Sequence, residues 1–485
     1  MGQFRLLAWT GLSVIAASAL VHNAPRLSPG MFDWAEPGNV AAALAQGRGF
    51  SDPFDGGTGA TAWVSPVPAW IEAGVFLLFG VKTVASAKAL LLLVVVGLAG
   101  ANALIVAALE PYGKGMCRAA SAAFLAYTCL LPGGPLTVLS EAWLDMLLSA
   151  ALLWAVIGCS RSAGAKAAAT LAGVALLAPL ENAGVAVAAG FCVLVLGCRA
   201  VRSRRSLAVP LTAAVAAFAA TASWSMRNEA ALGRLIPLKS NSWFELHLAN
   251  VDSADGLPRM ETVLRRLPFF DAGEFRRYSE LGEMRYVDSF KAPALAALKA
   301  DPAHFAGNVL RRLEAAIAFC RREGGGEATS FHFRPEDSAR LASSGQIILT
   351  GPSSALWTRI DAPPSQVRDS FARMGLVERD AIFADWSARR LAYDREFRGP
   401  AGLLLGLLTA GVPVAALLLS ALFSGGHFSV PAGWAALIAL GMLLPYVLVN
   451  HNDRHQESII ALQAVAIGAL AQAISSRRGR AGAGA

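Results

Sequence analysis

Charge is scarce in this chain. Of its 485 residues, 16% are Asp, Glu, Lys or Arg, against roughly a quarter in soluble globular domains. That shortage, with 55% hydrophobic residues, excludes an ordinary water-facing globule. Also missing are the short alternating apolar and polar strands of an outer-membrane barrel. The cysteines Cys117, Cys129, Cys159, Cys192, Cys198 and Cys320 include no Cys-x-x-Cys pair, and most lie in or beside apolar runs. They read as small buried hydrophobes and fix no redox compartment.

What the chain has instead is apolar runs of about 20 residues, long enough to cross a hydrocarbon core of about 30 Å. A backbone facing lipid must satisfy its own hydrogen bonds, so the expected fold is all-α. It is a polytopic helical membrane protein of about 10–12 spans, with outer-face loops and a helical outer region. The N-terminal stretch could pass for a signal peptide, but its apolar length and the spans behind it favour an uncleaved first span.

Eleven apolar segments can be counted, at positions 6–22, 66–80, 85–109, 119–132, 142–158, 167–180, 183–198, 207–225, 401–423, 430–449 and 457–475. Arg5, the cluster Arg199, Arg202, Arg204 and Arg205, and the tail arginines Arg477, Arg478 and Arg480 mark cytoplasmic flanks under the positive-inside bias. Two cytoplasmic ends require an even count, so one segment between 64 and 132 is broken or re-entrant. The suspects are the stretch Pro132-Gly-Gly-Pro135 and the proline-bearing start at Pro66 and Pro68. Neither basic cluster has an aromatic platform beside it, which argues against nucleic acid as a partner.

This divides the chain into a membrane bundle over 1–225, with an outer loop at 23–65, and an outer polar region over 226–399. Spans follow over 400–476, then a basic cytoplasmic tail at 477–485. Within the polar region, HFAGNVLRRLEAAIAFC carries the spacing of an amphipathic surface helix. Its last part, 323–399, mixes aromatic, proline and charged residues and suits a small insert or a lid.

The polar loop after the first segment holds Asp33 and Glu36, three residues apart and able to share a helical face. Paired acids at a membrane edge suit general-base chemistry; they also suit solvated loop acids, with Glu36 at a helix start where negative charge is favoured. Glu141 is a second acid site. It reads either as a site carboxylate or as a first-turn acid behind a Ser140 cap, and Asp145 is a further candidate one turn on. Glu181 falls at what reads as an interhelical turn. Arg227, Arg234 and Lys239 place positive charge beside Trp224, as a lipid-linked phosphate or ordinary interfacial anchoring would require. On the turn before the last segment, Arg454 suits phosphate binding. Its neighbours His451, Asp453 and His455 invite a divalent metal, though only their loop spacing supports one and no metal ligand is assigned.

The run FDWAEPGNVAAALAQGRGFSDPF, then TGATAW and a Pro-x-Pro before a span ending in LFG, resembles the first outer loop of bacterial GT-C glycosyltransferases. It is similar more narrowly to the group related to protein O-mannosyltransferases and the aminoarabinose transferase of lipid A. The run WSMRNEAALGRLIPLKSNSWFELHLAN resembles an outer segment of the same group. The resemblance implies an inverting transferase in a bacterial inner membrane, with its site on the periplasmic face. A polyprenyl-phosphate-linked sugar would be the donor, and a lipid, glycan or protein the acceptor. Asp33 falls on the catalytic acid, Glu36 on its neighbour, and Gly47, Gly49 and Phe50 on the turn that follows. Glu141 matches an acid of the next outer loop. Arg227, Arg234, Lys239 and Arg454 would bind the donor phosphate. The chain departs from the pattern at Pro37, where an aromatic is usual, at Glu181, where a basic residue is missing, and at His455, which stands for a tyrosine. These departures leave room for a non-catalytic partner subunit. A transporter or lipid-handling protein is the alternative from another class, although transporters place polar groups within their spans and these spans carry few.

Overall fold

The computed structural model describes residues 2–23, 36–129, 136, 141–161, 164–253, 255–258, 266–268, 271–317, 429–450 and 458–482. Asp33, Arg454, the Pro132–Pro135 stretch, the insert at 323–399 and the segment at 401–423 lie outside them. The described residues are overwhelmingly helical: an all-α, multi-pass membrane fold. Pairing of strand type among them is confined to one bridge between Ser51 and Ala60. Six helices among the described residues are long and apolar enough to cross a membrane.

The bundle comprises α1 (Gly2–Asn23), α4 (Val84–Leu109), α5 (Lys114–Cys129), α6 (Ala142–Arg161), α7 (Ala165–Glu181), α8 (Ala183–Arg202), α9 (Ala208–Leu232), α14 (Ser429–Leu448) and α15 (Ile460–Gly482). Helices α2 (Glu36–Ala45) and α3 (Pro66–Phe79) follow α1. Helices α10 (Ser242–His247), α11 (Ala272–Asp288), α12 (Lys291–Ala300) and α13 (Pro302–Ile317) follow α9. Local sequence sets the boundaries. Thr83 and Ser86 form a reciprocal capping box at the start of α4, satisfying donors that the first turn leaves open. Asn182 ends α7 in an extended conformation and caps α8 by accepting from Gly184 N at 2.7 Å.

Helix α4 packs against α1 and α6, α5 against α15, α8 against α14, and α7 against α9. The α8–α14 contact depends on small residues. A β-carbon at Gly184 would lie 2.4 Å from Met442 O, and one at Gly441 would lie 2.5 Å from Ala188 Cα. Large apolar side chains stay exposed along the outside of the bundle, among them Leu92, Leu194, Val215, Phe218 and Leu440, as a lipid-facing surface requires.

Side-chain contacts define two ends. At one, Asp145, Asn182, Tyr446 and Ser458 meet. At the other, Arg161 lies over Tyr112, Arg199 over Trp434, and Gln472 accepts from Met116 N. The first is here the Glu181 end, the second the Arg202 end. Helix α3 offers one resolution of the odd count. It has 14 residues, about 21 Å of rise, too little to span. Trp70 near its start meets Trp224 edge-on at 6.3 Å, and its last residue leads directly into the Glu181 end of α4. Both ends of α3 therefore stay on one side, packed on α2. Removing it from the eleven apolar segments leaves an even ten.

Helix α13 departs from the expected pattern at Arg312. Arginines were expected on its wet face, yet Arg312 is fully buried while Leu310 is 65% exposed. Arg312 faces inward because it meets carbonyls at the end of α14. Its Nε donates to Val447 O at 2.7 Å and its guanidinium to Gly256 O at 3.1 Å. A cation at a helix C-terminus is favourably placed.

Candidate functional site

The chain between α2 and α3 is a fixed loop. Gly47 and Gly49 take positive φ of 75° and 76°, which glycine adopts without steric penalty. Asp52, at φ 59°, is held in that region by its own contacts. Its Oδ1 accepts from Gly59 N at 3.0 Å, its N–H donates to Gly59 O at 2.9 Å, and its carboxylate pairs with Arg48. Aspartate tolerates the left-handed region when its side chain is bonded locally.

Three neighbours fasten this loop to the Glu181 end. Arg227 donates to Thr61 O at 2.6 Å and to Phe50 O at 2.7 Å, with its guanidinium 5.1 Å from the rings of both Phe50 and Trp224. Glu283 on α11 accepts from Thr61 Oγ1 at 2.5 Å, Ala62 N at 2.8 Å and Tyr278 OH at 2.8 Å. Ser240 N donates to Ala62 O at 2.9 Å. Between them the Trp63 ring packs on Phe54, Phe244 and Tyr278. Sequence reading missed Glu283, which is 4% exposed. The available signal was confined to Tyr286 and Val287, three and four residues on and on the same helix face; Tyr278 lies five residues back, across the non-helical Gly282.

Glu36 opens α2, half-buried, in its first turn. Glu141 is half-buried just ahead of α6, its carbonyl accepting from Leu144 N at 2.9 Å. One turn on, Asp145 is 4% exposed and accepts from Ser458 Oγ at 2.5 Å and Asn182 Nδ2 at 3.2 Å. Glu181, read from sequence as part of a plain turn, is 3% exposed and within hydrogen-bonding reach of Asp145. Burial of an acid at a helix junction depends on neighbours from α6, α14 and α15 that no local pattern reveals. Glu141 and Lys239 both lie within charge range of this pair.

Lys239 and Ser240 thus connect the two acidic places. One residue lies within charge range of the carboxyls of α6 and α7, and the next bonds the loop that follows Glu36. Of the expected phosphate ligands, Arg227 is bonded to loop carbonyls, and Arg234 forms a bidentate pair with Asp288 at 2.8 Å for each bond. That pair holds the Asp288 carboxyl below the usual carboxylate range. Lys239 is exposed.

A second polar network braces the outer region. The π-turn Leu248–Asp252 brings His247 Nδ1 to 3.1 Å from Asp252, and Arg266 grips the same carboxylate with two bonds of 3.0 and 2.9 Å. Burial raises Asp252, but the His247 and Arg266 contacts outweigh it and hold its carboxyl below the ordinary range. Burial, together with the charge of Arg311, lowers Arg312 to about 10. Among the described residues no three His, Cys, Asp or Glu side chains converge on a point suited to a metal ion.

No protein-family model matches the chain, and no curated protein does. A crystal structure of ArnT from Cupriavidus metallidurans bound to undecaprenyl phosphate aligns with 99% of this chain and 78% of its own, at 14% identity and a TM-score of 0.26. At that score the two sets of helices superpose poorly, and nothing about the site of this chain follows from the likeness.

Proposed function

We propose that this protein is a membrane glycosyltransferase of GT-C type that takes a sugar from a polyprenyl-phosphate-linked donor. The acceptor would be a lipid, glycan or protein at the outer face of a bacterial inner membrane. One observation carries the reading. Acids and cations from distant parts of the chain gather at the Glu181 end, joined by Lys239 and Ser240, while the opposite end carries exposed basic residues. Under the positive-inside bias the Arg202 end is cytoplasmic and the Glu181 end faces outward.

In this reading Asp33 takes the proton from the acceptor nucleophile as its lone pair bonds to the anomeric carbon. The bond from that carbon to the phosphate oxygen breaks with its electron pair, which leaves on the polyprenyl phosphate, and the sugar inverts. Glu36 and Glu141 orient the acceptor. Lys239 and Arg454 meet the phosphate directly and offset its charge. Arg227 and Arg234 add positive potential from positions already held by loop carbonyls and Asp288. The fixed loop over 46–65 supplies the rigid frame on which such positioning depends.

The buried Asp145 and Glu181 favour a second reading, a proton-coupled transporter, because intramembrane carboxyls commonly mark proton pathways. Proteoliposomes separate the two. Purified protein supplied with a labelled polyprenyl-phosphate sugar releases polyprenyl phosphate if it is a transferase. Uptake of labelled solute driven by a proton gradient, without such release, overturns the proposal.

A further inference from the structure

Two carboxyl groups meet inside the bundle, and each keeps one oxygen unsatisfied. Asp145 and Glu181 are 4% and 3% exposed. Among the described residues Asp145 Oδ1 and Glu181 Oε2 accept no hydrogen bond, although the two side chains lie within hydrogen-bonding reach. Buried acceptors without a donor are rare, and two full negative charges in contact away from water repel strongly. One ligand with positive charge between the carboxyls resolves both problems.

The surrounding groups select the ligand. Asp145 Oδ2 already accepts from Ser458 and Asn182. Asn182 has no freedom to turn its amide oxygen toward the pair, because Oδ1 caps Gly184 N at 2.7 Å and takes the Tyr446 hydroxyl. The neighbours just ahead of α8 and α15 therefore present donors. A metal cation needs lone pairs from every side, and donors repel it. A proton needs only one oxygen from each carboxyl. Among the described residues, the charged or titratable groups around the pair are Glu141 ahead of α6, Lys239 after α9 and Tyr446 on α14. Lys239 balances the single negative charge that remains.

We propose that Asp145 and Glu181 form a buried proton-binding site, sharing one proton that ties α6 to the α7–α8 junction. Removing the proton sets two anions against each other and loosens the junction beside Glu141 and Lys239. This inference does not rest on the transferase reading, since its test needs no substrate.

Infrared spectroscopy of the purified full-length protein, titrated with alkali, tests it directly. At neutral pH the wild type shows the carbonyl stretch of a protonated carboxylic acid, and that band is missing from both Asp145→Asn and Glu181→Gln. On alkalinisation the band fades and the unfolding temperature falls by at least about 2–4 °C. Glu181→Gln, whose amide replaces the proton with a permanent donor, does not show that fall. Ser458→Ala removes a donor from Asp145 without touching either acid and shifts the band, which decides the matter if the amide variants do not accumulate. No such band in the wild type, or a band of equal strength in Glu181→Gln, overturns the proposal. So does a divalent chloride that raises the wild-type unfolding temperature but not that of Glu181→Gln, which would mark a cation site.

Discussion

The two ends of the bundle use charge differently. At the Arg202 end, Lys114, Arg118, Arg161, Lys166, Arg199, Arg202, Arg204 and Arg205 are all exposed; number and sign matter there, as membrane anchoring requires. At the Glu181 end exposed charges such as Lys239 stand beside others that are buried or half-buried and assigned atom by atom. Glu283 accepts three hydrogen bonds, Arg227 holds two loop carbonyls, and Arg312 holds carbonyls of α14 and Gly256. Solvated charges tolerate exchange, whereas a buried donor or acceptor that loses its partner is costly. The difference marks the Glu181 end as the place where geometry is being maintained.

The sharpest way to break this contrast is Glu283→Ala. It strands the Thr61 hydroxyl, the Ala62 N–H and the Tyr278 hydroxyl, and should destabilise the protein by about 2–5 kcal/mol. Transfer activity should fall more than tenfold through misplacement of the loop, measured alongside thermal unfolding in detergent. Arg312→Met follows, at about 2–3 kcal/mol from the carbonyls it leaves unpaired, with Arg312→Lys recovering part of the loss.

Asp252→Asn acts through pH. The folded-state carboxyl is held below its ordinary value, so its stabilising contribution is fully present above the unfolded value. It is lost as pH falls through the lowered one. The wild type should therefore lose stability in acid over that window, and the Asn variant should lack this part of the dependence while being weaker at neutral pH. Smallest of all, replacing Arg202, Arg204 and Arg205 together by alanine should move the unfolding temperature by no more than about a degree or two. A loss there as large as that of Glu283→Ala would erase the distinction between the ends.

Most of the membrane architecture was legible in the sequence because lipid imposes a local rule. A helix must be apolar along its whole length, and α4, α6 and α8 announce themselves that way. A helix start at Glu36 and the turn at Gly47 and Gly49 were legible too, being set by neighbours in sequence. Helix α3 was ambiguous because composition records apolarity, while its failure to cross follows from length and from Trp70 meeting Trp224. Glu181 and Glu283 were out of reach in a different way. Their partners stand far away in the chain, Asp145 for one and Thr61 for the other, and no periodicity records such meetings. Arg312 read as solvent-facing because its acceptors, Gly256 O and carbonyls of α14, lie far from it in the chain.

The central claim is that an outer-face carboxylate drives sugar transfer, and Asp33→Asn tests it most directly. In proteoliposomes given a labelled polyprenyl-phosphate sugar, the account predicts that this variant inserts and unfolds like the wild type. Its release of polyprenyl phosphate should be at least about a hundredfold slower. Release at the wild-type rate from a folded Asp33→Asn protein would contradict the account.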